Sequence, residues 1–313
     1  MEESIVYSCD MPYRERLDVR AFTFGSGEPC ACIVGSMRGN EVQQLYVASQ
    51  LVAQLKRIES AGGIAPGKQV MVIPCANSVS LNVGRRFWPV DDTDINRMFP
   101  GYDEGETTQR IAAGIFEAVQ GYAYGVQYAS FYLEGDFLPH VRAMRVCDMP
   151  ADDADLFGMR YVVVRDPQPF DTTTLNYNWR LWETQAYSLY TEKTDTVDED
   201  SARIATHATL RFLAGIGAID YPCHPGWHSA HIRESDLLGV LSTRGGFLRR
   251  CAHPGDAVRE GEALADVLSP LTGETLETLR SPVDGIVFFA CRTPLVTEHT
   301  LAFELIEAGT DSR

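Results

Sequence analysis

"CIVGSMRGNEVQQLYVASQLVAQL" (Cys32–Leu55) decides the fold. It belongs to a longer pattern. "ACIVGS" (31–36) is short, apolar and β-branched, which reads as a buried strand. Gly35 and Gly39 mark a tight turn. Apolar residues then fall at Val42, Leu45, Leu51, Val52, Leu55 and Ile58, mostly at helical spacing, until "AGGIAPG" (61–67) ends the run. "KQVMVIPCA" (68–76) is a second buried strand. Strand, helix and strand in this order predict a right-handed βαβ unit on a largely parallel sheet. The helix, read as 41–58, opens on Asn40-Glu41. Many α/β enzymes present a metal site at such a junction, but no His stands beside this Glu.

The pattern continues outward. The spacing predicts a helix over 106–120, strands at 127–135 and 160–166, and a helix over 198–220 with an acidic start. This is an α/β fold, a mostly parallel mixed sheet flanked by helices, over residues 1–222. "PCHPGWHSAH" (222–231) reads as a linker. Short apolar strands between Gly and Pro turns follow, which predicts a small β-barrel or sandwich domain over 223–313. Its "GDAVREGEALA" and "SPVDGIV" resemble the half-barrels of lipoyl and biotinyl carrier domains. Those domains carry a modified Lys, and the last Lys of this chain is Lys193, so a covalent carrier is excluded. A structural or lid role is expected instead.

Net charge is −16, which argues against nucleic acid or an anionic membrane as partner, since both need a basic surface. A small anionic ligand remains open if a pocket is locally basic. No apolar run reaches the roughly 18 residues of a membrane span, and the N-terminus lacks a signal-peptide pattern, so a cytoplasmic location is expected. Eight cysteines stand at 9, 30, 32, 75, 147, 223, 251 and 291 with no CxxC pair. They read as buried free thiols rather than a thiolate zinc site. The sequence leaves an oligomer open.

Four stretches carry candidate chemistry: "GSMRGNE" (35–41), "GRRFWPVDDTDINRMFPG" (84–101), "SFYLEGDFLPHVR" (130–142) and "AYSLYTEKTD" (186–195). The second gathers Arg85, Arg86 and Arg97 around an acidic turn. Arginine presents a planar fork that pairs a carboxylate through two parallel hydrogen bonds. The same arginines could instead bridge to Asp91, Asp92 and Asp94 at the surface. Glu192 follows an apolar run and opens a polar loop, as a general base or a solvated strand-end carboxylate would. His224, His228 and His231 have a metal-like spacing but lie in the linker, where exposed histidines are expected. No G-x-S-x-G elbow, GxxxxGK[ST] loop or strand-borne GxGxxG is present.

In order along the chain, "GSMRGNE", "DINRMFPG", "YLE" and "YTE" resemble the succinylglutamate desuccinylase/aspartoacylase family. These are zinc-dependent amide hydrolases on a zinc-carboxypeptidase-like fold with a C-terminal β-domain. "NRMFPG" is the most specific element. The resemblance implies zinc as cofactor, Glu41 as one ligand, Asn96 and Arg97 with Arg85 or Arg86 as the substrate-carboxylate clamp, and Glu192 as the base that activates water.

It also exposes two departures. The family's first His ligand is matched here by Arg38, and its third ligand, a strand-end His, is aligned to Glu134. A guanidinium stays protonated and cannot ligate a cation. The expectation is an Arg38–Glu41–Glu134 ion-pair cluster in the vacated place, because unpaired buried charges are costly. A carboxylate-rich site of Glu41, Glu134 and His140 for Mn²⁺ or Mg²⁺ is the alternative; otherwise His140 is an ordinary loop residue. Two functions follow: a hydrolase of N-acyl amino acids with altered metal use, or a non-catalytic descendant that binds a small carboxylate ligand or a protein partner, with no cofactor.

Overall fold

A computed structural model describes residues 1–11, 16–146 and 152–309. The chain divides into two compact units: residues 1–130 with 140–229, and residues 131–139 with 230–313. The sequence boundary at 222/223 therefore moves to 229/230, and a short internal segment joins the second unit.

In the first unit the strands are β1 (Glu2–Asp10), β2 (Arg16–Gly25), β3 (Glu28–Ser36), β4 (Lys68–Cys75), β5 (Tyr124–Ala129), β6 (His140–Met144), β7 (Tyr161–Arg165) and β8 (Gln185–Tyr190). They lie in the order β1-β2-β4-β3-β5-β8-β6-β7. The centre is parallel: β3 pairs β4 and β5, and β5 pairs β8. The flanks mix directions, with β1·β2, β2·β4 and β6·β8 antiparallel and β6·β7 parallel. The expected βαβ unit is β3, α1 (Val42–Ser60) and β4.

Alternation along β3 explains the layers, because successive side chains of a strand face opposite sides. Ile33 joins a core with Val47, Leu51 and Leu55 of α1 and Phe212 of the helix at Glu199–Gly215. Cys32 and Val34 join the opposite core with Ile111, Ile115 and Phe116 of the helix at Thr107–Val119. Both faces of the central sheet are thus covered, which is why β3 reads as a continuous apolar run rather than an alternating one.

One strand differs from its sequence reading. The aromatic run 127–135 reads as a single strand, but β5 ends at Ala129 and the chain leaves the sheet at Ser130. Phe131 packs instead within the second unit, edge-on to Phe137 at 5.2 Å and to Phe289 at 5.5 Å. Its aromatic character serves that cluster, not a continued strand.

The second unit holds two antiparallel sheets. One contains Leu238–Leu241, Leu301–Glu307, Gly285–Cys291 and Ala257–Val258, with Gly135–Phe137 added to Gly285–Cys291. The other contains Thr275–Arg280, Ala263–Leu268, Gly246–Arg250 and Leu295–Val296. Val287, Phe303 and Leu305 of the first share a core with Leu264, Val267 and Leu279 of the second, so the unit is a β-sandwich.

Cys30, Cys32 and Cys291 are buried free thiols, as expected. Cys9, Cys75 and Cys223 are only half-buried and Cys251 is exposed, corrections to the uniform buried reading, and Cys147 lies outside the described residues. No helix among the described residues is long and apolar enough to cross a membrane.

Candidate functional site

The turn from β3 into α1 is built around Glu41. Glu41 precedes α1, but its side chain does not cap the helix. It folds back over the turn. Oε2 accepts from the backbone N–H of Met37 at 2.7 Å and of Arg38 at 3.0 Å. Oε1 accepts from Arg38 Nη1 at 3.1 Å and from Ser130 Oγ at 2.5 Å. The turn can close this tightly because residue 39 has no side chain. A Cβ there would sit 2.1 Å from the carbonyl oxygen of Arg85 and 2.2 Å from that of Ser80.

Arg38 is 5% exposed and spans two carboxylates. Besides Glu41, it reaches Asp94: Nε lies 3.2 Å from Oδ1 and 3.0 Å from Oδ2, and Nη2 lies 2.9 Å from Oδ2. Burial opposes its charge, but Asp94 and Glu41 together hold the guanidinium pKa above its ordinary value. Asp94 in turn caps the short helical turn Ile95–Arg97, accepting from Asn96 N at 3.0 Å.

This geometry corrects the expected Arg38–Glu41–Glu134 cluster. Arg38 does pair with Glu41, but the second carboxylate is Asp94. Glu134 is exposed and belongs to the second unit, where its carbonyl accepts from Arg292 N at 2.9 Å. The side chain that reaches Glu41 from the end of β5 is Ser130, four residues before the aligned position. His140 is not a loop residue either. It is fully buried in β6, stacked on Tyr190 at 4.8 Å, and its Nε2 accepts from Arg142 Nε at 3.0 Å. That acceptor role requires a neutral ring.

The residues expected to form a carboxylate clamp are held separately. Asn96 is 8% exposed, and its Oδ1 accepts from Gln127 Nε2 of β5 at 3.1 Å. Arg97 donates to the Phe170 carbonyl and lies over the Phe170 ring at 5.3 Å. Arg86 lies over Phe87 at 5.5 Å and its carbonyl accepts from Gly39 N, so the arginine loop abuts the Glu41 turn. Arg85 is exposed. Asp94, which the sequence offers as a partner of these arginines, is held by Arg38 instead. Glu192 follows β8 in a segment tied to the start of α1: Gln44 Nε2 donates to Thr191 Oγ1 at 3.3 Å and Gln43 N to the Thr194 carbonyl at 2.9 Å. Its own carboxylate pairs Lys193 at 3.2 Å. His224 and His228 are exposed.

The donor set does not fit a zinc ion. A catalytic zinc needs three protein ligands and an open position. Here one candidate is a guanidinium and another a hydroxyl, and both oxygens of Glu41 are already taken up by four donors. Among the described residues, no group of three or more His, Cys, Asp or Glu side chains is arranged to hold a metal. The sequence reads Asp94 only as a surface partner of the neighbouring arginines, and it gives Ser130 no role. Their only local signals are an Asp before a helical turn and a polar residue closing an apolar strand.

Comparison with known proteins bears out the resemblance. Residues 28–125 match the succinylglutamate desuccinylase/aspartoacylase catalytic domain. An N-alpha-acetyl-L-2,4-diaminobutyric acid deacetylase from Halomonas elongata is 30% identical over 84 residues, 27% of this chain and 23% of the relative's length. Among solved structures, a succinylglutamate desuccinylase/aspartoacylase from Rhodobacter sphaeroides is 20% identical with a TM-score of 0.81, covering 97% of this chain and 95% of that one. The product-bound ectoine utilization protein EutE (DoeB) from Ruegeria pomeroyi is 17% identical with a TM-score of 0.79, covering 93% and 89%. At these identities the structures establish a shared fold.

Proposed function

From the premise that residues 28–125 match a deacylase catalytic domain and that the chain has the fold of its solved members, we propose a small-carboxylate-binding descendant that has given up zinc hydrolysis. The observation that carries this reading is Arg38. Its buried guanidinium lies between Glu41 and Asp94, in the sequence position where the family resemblance puts a His ligand. A permanent cation there repels a metal ion and occupies the carboxylate that would ligate it.

The clamp is what the site retains. Asn96 and Arg97 follow Asp94, and the backbone of Arg85 and Arg86 abuts Gly39, so guanidinium and amide groups that suit a ligand carboxylate are borne on segments next to the turn. Local arginines give an anion a favourable field within a chain of net charge −16. Glu192 supports the hydrolytic reading less well, because its carboxylate pairs Lys193.

The test combines turnover and binding. N-acetyl amino acids, including N-acetyl-2,4-diaminobutyrate, and N-succinylglutamate are incubated with the protein, with and without added Zn²⁺ or Mn²⁺. Binding of the same compounds is followed by calorimetry. The proposal expects binding that Arg97→Ala weakens and no metal-stimulated turnover. Metal-stimulated turnover abolished by Glu192→Gln overturns it and restores the hydrolase reading.

A further inference from the structure

Resting on the carboxylate-binding reading, we infer that Arg38 is the positioning residue of the site: through Asp94 it sets the turn that presents the Asn96 amide to the ligand. In a metal-dependent relative a cation at this corner would be exchangeable. Here the cation is covalently part of the chain and makes the contacts itself.

The linkage is short and continuous. Arg38 holds Asp94 through three close nitrogen–oxygen contacts of 2.9 to 3.2 Å. Asp94 Oδ1 also takes the backbone N–H of Asn96, which fixes the turn Ile95–Arg97. Asn96 Oδ1 is then occupied by Gln127 Nε2. An amide anchored by its oxygen offers only its N–H₂ group outward. Among the described residues no acceptor pairs with Asn96 Nδ2, so the anchored amide keeps its N–H₂ donor for a ligand. Its partner must bring an acceptor oxygen, as a carboxylate or an amide carbonyl does, and cannot be an ammonium group.

A fork is needed for this work, not merely a charge. Nε and Nη2 serve Asp94 while Nη1 serves Glu41, so one planar group meets two carboxylates in two directions. A lysine ammonium is a point charge on a flexible stem and cannot reproduce that.

The experiment measures binding of N-acetyl-L-aspartate and N-succinylglutamate to wild type, Arg38→Ala, Arg38→Lys and Asp94→Asn, each checked for folding by circular dichroism. Wild type is expected to bind, and all three variants to lose at least tenfold in affinity. Adding guanidinium to Arg38→Ala is expected to restore affinity, whereas ammonium is not. A purely structural defect would not discriminate between those two ions. Asp94→Asn keeps the side-chain volume, so it remains informative if Arg38→Ala does not fold. Wild-type affinity in Arg38→Lys or Asp94→Asn overturns the positioning role alone. Wild type that binds neither compound overturns the binding reading and this inference with it.

Discussion

Ser130 Oγ donates to Glu41 Oε1 at 2.5 Å, across 89 residues of chain. This contact identifies what comes to the corner from the end of β5. With Arg38 three residues before Glu41, two non-ligating side chains flank a carboxylate. Both are at hydrogen-bond distance, where side chains of ligating type could converge on one ion. The double substitution R38H/S130H would supply two imidazoles beside Glu41 and complete a three-ligand set. Zinc content of the purified variant is expected near one equivalent, against a trace in wild type. Each single substitution leaves at most two ligands and is expected to bind weakly. A double variant without zinc would show that the corner has lost the shape of a metal site as well as its ligands.

The Arg38–Glu41 pair is buried, and removal of one partner leaves the other charge uncompensated. Breaking a buried pair costs about 3–5 kcal/mol. Glu41→Ala is expected to lose stability of about that size in urea unfolding, and it also frees the N–H groups of Met37 and Arg38. Glu41→Gln keeps an acceptor oxygen and is expected to lose less. Arg38 has a pKa above its unfolded value, so its contribution is complete below the unfolded pKa and is lost only as pH rises through the higher folded one. Stability of wild type should therefore show no loss from this group up to about pH 10, well below an arginine's ordinary pKa. A decline there that Glu41→Gln removes would contradict the pairing.

The strand–turn–helix corner was legible because a continuous apolar run gives way to a 3.6-residue period at one turn, a signal contained within 24 residues. The site was only half legible. Arg38 and Glu41 are three residues apart, so their pairing can be read locally. Asp94 is 56 residues from Arg38. It stands beside three arginines in the sequence, and local reading assigned it to them. Ser130 was missed for a different reason. "YASFYLE" has the composition of one strand, yet Phe131 belongs to the aromatic cluster with Phe137 and Phe289, so the strand stops early. Which aromatic residues extend a strand and which anchor another unit depends on tertiary packing, and alternation alone does not encode it.

Gly39 is fixed by close approach rather than by a left-handed backbone. A Cβ at 2.1 Å from a backbone carbonyl cannot be relieved by a rotamer change, so the arginine loop itself would have to move. Gly39→Ala is expected to destabilise by about 1–3 kcal/mol, the range of overpacked sites. It should also weaken carboxylate binding, because the displaced segment carries Arg85 and Arg86. Thermal melts paired with calorimetry check this. Unchanged stability would mean that the 80–86 loop yields freely and does not brace the corner.

Cys75 ends β4 at the same corner and offers a chemical probe of it. Burial, reinforced by the nearby Glu41 carboxylate, pushes its thiol up to about 11 despite hydrogen bonds from Asn77 and Ser36. Moving a thiol from about 9 to about 11 cuts its thiolate fraction at pH 8 roughly 100-fold, and the thiolate is the species that alkylates. Iodoacetamide at pH 8 should therefore label exposed Cys251 well before Cys75, with peptide mass spectrometry resolving the sites. Because Glu41 contributes to the upward shift, Glu41→Gln is expected to speed labelling of Cys75 while leaving Cys251 unchanged. Equal rates at both cysteines in wild type would show that the corner is open to solvent, which is incompatible with an ion pair buried at its centre.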